Sequence, residues 1–296
     1  MSFEKRMGKT FEKALRLPLS AKSRYVLVSD CHRGTGNAND NFLKNEYLYI
    51  AALKYYEARK FTYLELGDGD ELWENRSFRK IKELHAASFS VLADYYRDGR
   101  LYLLYGNHDI IKGTPYFPRK YLETCLCCDT CQEKNMFPGI TFYPGIILED
   151  EMGQRDIYLT HGHQADMLNS TFWRASRFLV RYVWRPLERL GIPDPTSAAK
   201  NNTRKKTSEE RLSCWAREKE CLLITGHTHH PMAGEPGGYY LNTGSCVSPA
   251  GITVIEICGR TLSLVKWSLG TRPDQGLYAA RQVLGAPFPL EECCRR

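Results

Sequence analysis

No stretch of this 296-residue chain reaches the ~18–20 consecutive apolar residues that a membrane-spanning helix needs, so none is expected. The first twenty residues, MSFEKRMGKTFEKALRLPLS, lack the apolar core of a secretory leader, and a cytoplasmic protein is the expectation. There is no internal repeat. Neither sign of charge dominates: a net +7 favours anionic partners without selecting nucleic acid, membrane or phosphate metabolite. An evenly spaced cysteine framework is also missing. The eleven cysteines are an odd number in a chain too long to need staples, and reduced thiols are expected for most of them.

What is present suits one large α/β domain. Apolar residues make up 43 % of the chain, enough to bury a core, and 25 % charged residues is ordinary for a globular protein. Residues 2–17, within an N-terminal segment 1–20, read as a short basic amphipathic helix, with Phe3, Met7, Phe11 and Leu15 at i, i+4 spacing. Such a helix either docks on the domain or makes peripheral membrane contact.

Beyond it a rhythm sets in of apolar strand, polar residues, then helix. Expected strands are Arg24 to Ser29, Phe61 to Leu66, Leu101 to Tyr105, Ile157 to Thr160 and Cys221 to Thr225, with helices over 45–60 and 77–98. Tyr239 to Asn242, Thr253 to Ile257 and Leu262 to Trp267 alternate like antiparallel strands. Two regions interrupt the rhythm: a Cys-rich loop in 112–150 and a helical insertion over 164–220.

The five strands first named each run into metal-type residues. In order these are Asp30-x-His32, Gly67-Asp68-x-x-Glu71, Gly106-Asn107-His108-Asp109, His161-Gly162-His163 and Gly226-His227-x-His229. Ligand groups in open α/β sheets sit at the carboxyl ends of strands, so five such ends in one chain point to one site. Carboxylates with neutral imidazoles suit borderline divalent ions such as Mn²⁺, Fe²⁺ and Zn²⁺. Asp30 with His32, and His227 with His229, point the same way because strand side chains repeat every two residues. A pair of such ions can activate water at neutral pH and stabilise an in-line phosphoryl transition state. The glycines beside the motifs let backbone turn and approach closely.

In content and order these motifs resemble the calcineurin-like metallophosphoesterase family, over residues 24 to about 258. The resemblance implies two mixed β-sheets in a sandwich flanked by helices, with a dinuclear site at one end and a helical lid over 164–220. It implies two divalent ions, Mn²⁺ first. Asp30, His32, Asp68 and His229 would bind one ion, with Asp68 bridging. Asn107, His161 and His227 would complete the other. Asn107 and His108 would contact the substrate phosphate, His108 would protonate the leaving group, and Asp109 would orient His108. His163 is an alternative to His161. Glu71 stands where the family commonly has Asp, at a supportive position.

Within the family, GDxxELWE, the insertion and Asn242-Thr243-Gly244-Ser245 look like the UDP-2,3-diacylglucosamine diphosphatase branch. That enzyme usually has arginine where this chain has His108, so the likeness stays at branch level. Arg174, Arg177, Arg181, Arg185 and Arg189 recur at 3–4-residue spacing in the insertion, which holds twelve Lys/Arg against seven Asp/Glu. They form either a solvated helix face or a basic lid that binds an anionic substrate, with Arg174, Arg177 and Arg181 as the candidates. Cys125, Cys127, Cys128 and Cys131 form either a thiol-rich loop or a cramped structural Zn²⁺ site.

The expected activity is a metal-dependent phosphohydrolase on a phosphodiester, monoester or pyrophosphate, with nucleotide-sugar and lipid-linked compounds as the candidate substrates. The alternatives are a nuclease or cyclic-nucleotide phosphodiesterase on the same ions, and a non-enzymatic metal-binding scaffold. No particular nucleic-acid or protein partner is expected.

Overall fold

The computed structural model describes residues 1–37, 39–126, 133–153, 155–184, 187 and 201–293. The elements in chain order are α1 (Phe3–Glu12), β1 (Leu15–Leu19), β2 (Arg24–Val28), α2 (Glu46–Ala58), β3 (Thr62–Leu66), α3 (Phe78–Leu84), α4 (Ala86–Arg97), β4 (Leu101–Leu104) and α5 (Tyr116–Tyr121). Next come β5 (Thr124–Leu126), β6 (Glu133–Asn135), β7 (Phe142–Tyr143), β8 (Gly145–Asp150), β9 (Ile157–Thr160), α6 (Met167–Ser170) and α7 (Trp173–Leu179). The series ends with α8 (Asn202–Glu218), β10 (Leu222–Thr225), β11 (Tyr240–Asn242), β12 (Ile252–Cys258), β13 (Thr261–Thr271) and β14 (Leu277–Pro289).

Two mixed sheets result. One has the order β1-β8-β9-β10-β11 and the other β14-β13-β12-β2-β3-β4-β7. Period-two alternation sorts their side chains into layers. Leu27, Leu64, Leu66 and Leu104 of the second sheet pack with Ile146, Leu159, Leu222 and Ile224 of the first, forming the interior of a sandwich. The intervening Val26, Val28 and Tyr63 face the other way, onto Leu53, Ile81 and Leu92 of the helices. On the opposite side Leu223 meets Met7 of α1 and Leu212 and Trp215 of α8. Strands buried on both faces read as continuous apolar runs, which is how RYVLV and LLIT look. The architecture is the helix-flanked pair of mixed sheets expected from the sequence.

Four local expectations need correction. The N-terminal helix stops at Glu12, and Leu15 belongs to β1 instead. There LRLPL turns to period two and pairs in parallel with Ile146–Asp150. The helix expected over 77–98 breaks at His85, whose ring is drawn inward between Asp40 and Glu46, 3.3 and 3.0 Å away. Tyr240–Asn242 pairs with β10 in parallel, not antiparallel. The 112–150 segment carries α5 and four strands as well as loop. Cys127, Cys128 and Cys131 lie outside the described residues, as does the side chain of Cys125.

The apolar side of α1 is turned to the protein: Met7 is fully buried and Phe11 stacks on Trp215, centroids 5.5 Å apart. No helix of the described residues is long and apolar enough to cross a membrane.

Candidate metal centre

The carboxyl ends of β2, β3, β4, β9 and β10 meet at one edge of the sandwich, and each delivers its motif there. The side chains form two ligand-type groups, Asp30–His32–His229 and Asp68–His161–His227, and a third, His32–Glu71–His108, beside them. His229 Nε2 lies 3.1 Å from Asp30 Oδ1, and His161 Nε2 lies 3.1 Å from Asp68 Oδ2. Asp68 Oδ2 is also 3.8 Å from His32 Nε2, so one carboxylate oxygen faces both groups. Asn107 Oδ1 adds a neutral oxygen 3.2 Å from His161 Nε2.

Hydrogen bonds at the far side of each ring decide which nitrogen faces inward. His161 Nδ1 lies 2.9 Å from the Leu66 carbonyl, and His32 Nδ1 lies 2.9 Å from a Glu71 carboxylate oxygen. A carbonyl or carboxylate there places a proton on Nδ1, so Nε2 is the nitrogen turned to the centre and the one that would ligate once the ring is neutral. His161 Nε2 faces Asn107 Oδ1, and His32 Nε2 lies 3.2 Å from His229 Nε2. Asp30 Oδ1 and His227 Nε2 are buried without a hydrogen-bond partner. Carboxylates and imidazole nitrogens crowded together, with two orphaned buried acceptors among them, are what cations would satisfy, so the residues present fit divalent ions.

Against burial, Asp68 and Asp30 raise the pKa of His161 to about 9, and Asp30 and Glu71 raise that of His32, so a cation bound here would displace protons from these two rings. Burial opposes ionisation of Asp68 and Asp30, yet His161 with His108 and His229 with His161 hold the two carboxyls below the usual range. Burial and the neighbouring His161 push His227 well down, toward the neutral imidazole that ligation requires.

The backbone is shaped to the same end. Asp30, His32, Asp68, His227 and His229 all have left-handed φ, between 47° and 69°. Two glycines are required by close approach. A Cβ on Gly106 would sit 2.1 Å from Asp68 Oδ1, and one on Gly226 would sit 2.4 Å from Asp30 Oδ2. The other carboxylate oxygen of each Asp is spent on backbone: His108 N donates to Asp68 Oδ1 at 2.8 Å, and His227 N to Asp30 Oδ2 at 2.9 Å.

His108 stands over the centre, and its support differs from expectation. Asp109 does not hold it. Asp109 instead accepts from the backbone N–H groups of Gly106, Asp68 and Gly69 at 2.7, 3.2 and 3.0 Å, and it pairs with buried Lys112 at 2.7 Å. It fixes the loops that carry the ligands. The partner of His108 Nδ1 is Glu71, at 2.8–2.9 Å, and the Trp73 ring stacks on the imidazole with centroids 4.4 Å apart. Glu71 thus joins His32 to His108. Burial opposes protonation of His108, but the Glu71 and Asp68 carboxylates overcome it and raise its pKa. The sequence signal for Glu71 was its carboxylate three residues after Asp68, and for Trp73 an aromatic two residues further on.

His163 is buried with Nδ1 unpartnered, and burial followed by His161 lowers its pKa to about 3. It belongs to neither ligand group. Its loop is braced by α1, whose buried Arg6 donates to the Gln164 carbonyl at 2.8 Å.

Of the insertion arginines, Arg177 and Arg181 line a pocket of about 260 Å³ together with Arg76, Leu72, Asn75 and Tyr116. Arg181 is anchored to the carbonyls of Leu72 and Trp73, at 2.7 Å each. Arg174 is exposed, lies over the Trp173 ring and does not line this pocket.

No protein-family model matches the chain, and no curated protein does. Solved structures similar at low level include the following two. A conserved protein of Streptococcus pneumoniae, a predicted phosphoesterase, has 16 % identity and a TM-score of 0.34 over 90 % of this chain and 100 % of its own. Chaetomium thermophilum Vps29 has 12 % identity and a TM-score of 0.40 over 92 % of this chain and 99 % of its own. Similarity at that level is silent on activity. The site has to speak through its own side chains.

Proposed function

We propose that the protein is a metal-dependent phosphohydrolase that cleaves a phosphate ester or pyrophosphate. The observation that carries this reading is the pair of ligand-type groups sharing Asp68, with imidazole Nε2 atoms turned inward. Two divalent ions held by Asp30, His32 and His229 and by Asn107, His161 and His227, with Asp68 between, would supply an activated water and charge neutralisation at the phosphoryl oxygens. Mn²⁺ is the first choice, with Fe²⁺ or Zn²⁺ as alternatives for this donor set.

The chain's own residues do the rest. His108, pressed by Trp73 and held at Nδ1 by Glu71, offers Nε2–H to the leaving oxygen. General acid catalysis of this kind contributes about 10²–10⁴-fold. A histidine so fixed has no use in a scaffold, and this favours an enzyme over a binding module. Arg76, Arg177 and Arg181 receive the part of the substrate beyond the scissile bond. Three guanidiniums around one pocket suit a second anionic group, as in a nucleotide-sugar pyrophosphate.

The test is hydrolysis of p-nitrophenyl phosphate, bis-p-nitrophenyl phosphate and a UDP-sugar, each with Mn²⁺ and with EDTA, alongside elemental analysis. The expected result is Mn²⁺-dependent turnover with two metal equivalents, both lost in Asp68→Asn. Turnover that survives EDTA and Asp68→Asn would overturn the proposal.

A further inference from the structure

The helix α7, continued by a π-helical turn over Val180–Trp184, is mounted inside out. Its buried or half-buried side carries Ser176, Arg177, Val180 and Arg181. Its solvent side carries the large apolar residues: Phe178 is 59 % exposed, Leu179 42 %, Tyr182 49 % and Val183 37 %, with Phe172 just before the helix at 50 %. At about 100° per residue these five fall within an arc of roughly 140°, a single face. Scattered exposed apolar residues need no explanation, but a contiguous face of two phenylalanines, a tyrosine, a leucine and a valine does.

Charge narrows what covers that face. Between Asp166 and Glu188 the sequence has no acidic residue and four arginines, at 174, 177, 181 and 185. Arg174 is exposed beside the apolar face. An exposed stripe of Phe, Tyr, Leu and Val with exposed Arg174 at its edge, in a segment without a carboxylate, is the composition of a helix that lies in the headgroup region of an anionic bilayer. We propose that α7 and the following turn dock the protein on an anionic membrane surface, with Phe172, Phe178, Leu179 and Val183 inserted among the lipids. Arg177 and Arg181, on the opposite side of the same helix, remain at the pocket. The docking surface is therefore not α1, whose apolar side is already buried.

The test is co-sedimentation of the full chain with vesicles of phosphatidylcholine alone and of phosphatidylcholine containing one third phosphatidylglycerol. The variant carries F178S, L179S and V183S, exposed positions that touch neither the metal centre nor the pocket. Thermal melting and far-ultraviolet circular dichroism check that it is folded. The expected result is binding to the phosphatidylglycerol vesicles at least about tenfold tighter than to phosphatidylcholine, and weakened at least about tenfold in the variant. Absence of vesicle binding by the wild type would overturn the proposal, as would equal binding by the variant. So would an oligomer that the variant dissolves in a protein without vesicle affinity, which would assign the face to a second copy of the chain. None of these outcomes depends on the phosphohydrolase reading.

Discussion

Two groups of cations lie close to the centre and are treated in opposite ways. Beneath the ligand loops, buried Arg33 pairs with Glu65 and Asp70 at 3.0 and 2.8 Å, and buried Lys112 pairs with Asp70 and Asp109. Every charge there meets its opposite, and Asp109 passes the order on to the backbone of Gly106, Asp68 and Gly69. Around the pocket, Arg181 meets two carbonyls and Arg76 a tyrosine hydroxyl. No carboxylate faces Arg76, Arg177 or Arg181 among the described residues. Burial lowers the Arg181 pKa, and Arg177 and Arg76 push it further the same way. Charges that are neutralised internally build the site; charges left crowded and unneutralised await something from outside.

This contrast can be broken most directly at Lys112. Replacing it with Met strands Asp70 and Asp109 in the interior. Loss of one partner from a buried ion pair costs about 3–5 kcal/mol, so urea melts should show a destabilisation of that size. A melt unchanged from wild type would remove the structural half of the comparison.

A second compensated cation sharpens it by titration. His85 is buried between Asp40 and Glu46; burial opposes its charge, but the two carboxylates raise its pKa to about 9. Its folded value lies above the unfolded ~6.5, so its stabilisation is complete below pH 6.5 and fades as pH rises through 9. The shift corresponds to on the order of 3 kcal/mol. Denaturant midpoints between pH 6 and 10 should fall for the wild type and stay flatter for His85→Gln. Parallel curves would contradict the ion-pair account.

Glu71 sits between the two classes, since it holds His108, the proposed general acid, as well as His32, a proposed ligand. Glu71→Gln should lower kcat by about 10–100-fold, the usual cost of losing a partner behind a working imidazole. It should also move the His108 limb of the pH–rate profile to lower pH, because the carboxylate that raised the pKa is gone. A uniform fall without that move would mean that Glu71 acts through the metal site alone.

The smallest effect belongs to the uncompensated group. Arg177→Ala should raise KM for a UDP-sugar several-fold, about 1 kcal/mol, while p-nitrophenyl phosphate is turned over as before. Its melt should match wild type or improve on it. Destabilisation would place Arg177 with Arg33 and Lys112 instead.

The ligand positions were legible because rare residue types stand directly after short apolar strands, five times in one chain. The sandwich was legible because strands such as RYVLV and LLIT have no polar face. What stayed hidden depends on through-space direction. Nothing local shows that Asp109 turns to backbone amides while Glu71 takes His108. The break at His85 is set by Asp40 and Glu46, distant in sequence. Amphipathicity in the insertion shows that α7 has two unlike sides, but not which one faces outward.

The left-handed backbone at Asp30, His32, Asp68, His227 and His229 has a consequence for stability. A side chain in that conformation costs about 1 kcal/mol relative to glycine, so the five together cost on the order of 5 kcal/mol. Whole domains are stable by only about 5–15 kcal/mol. Glycine at these positions would relieve the strain and remove the ligand-type side chains in the same step, so gain in stability and loss of cation binding would come from the same substitutions.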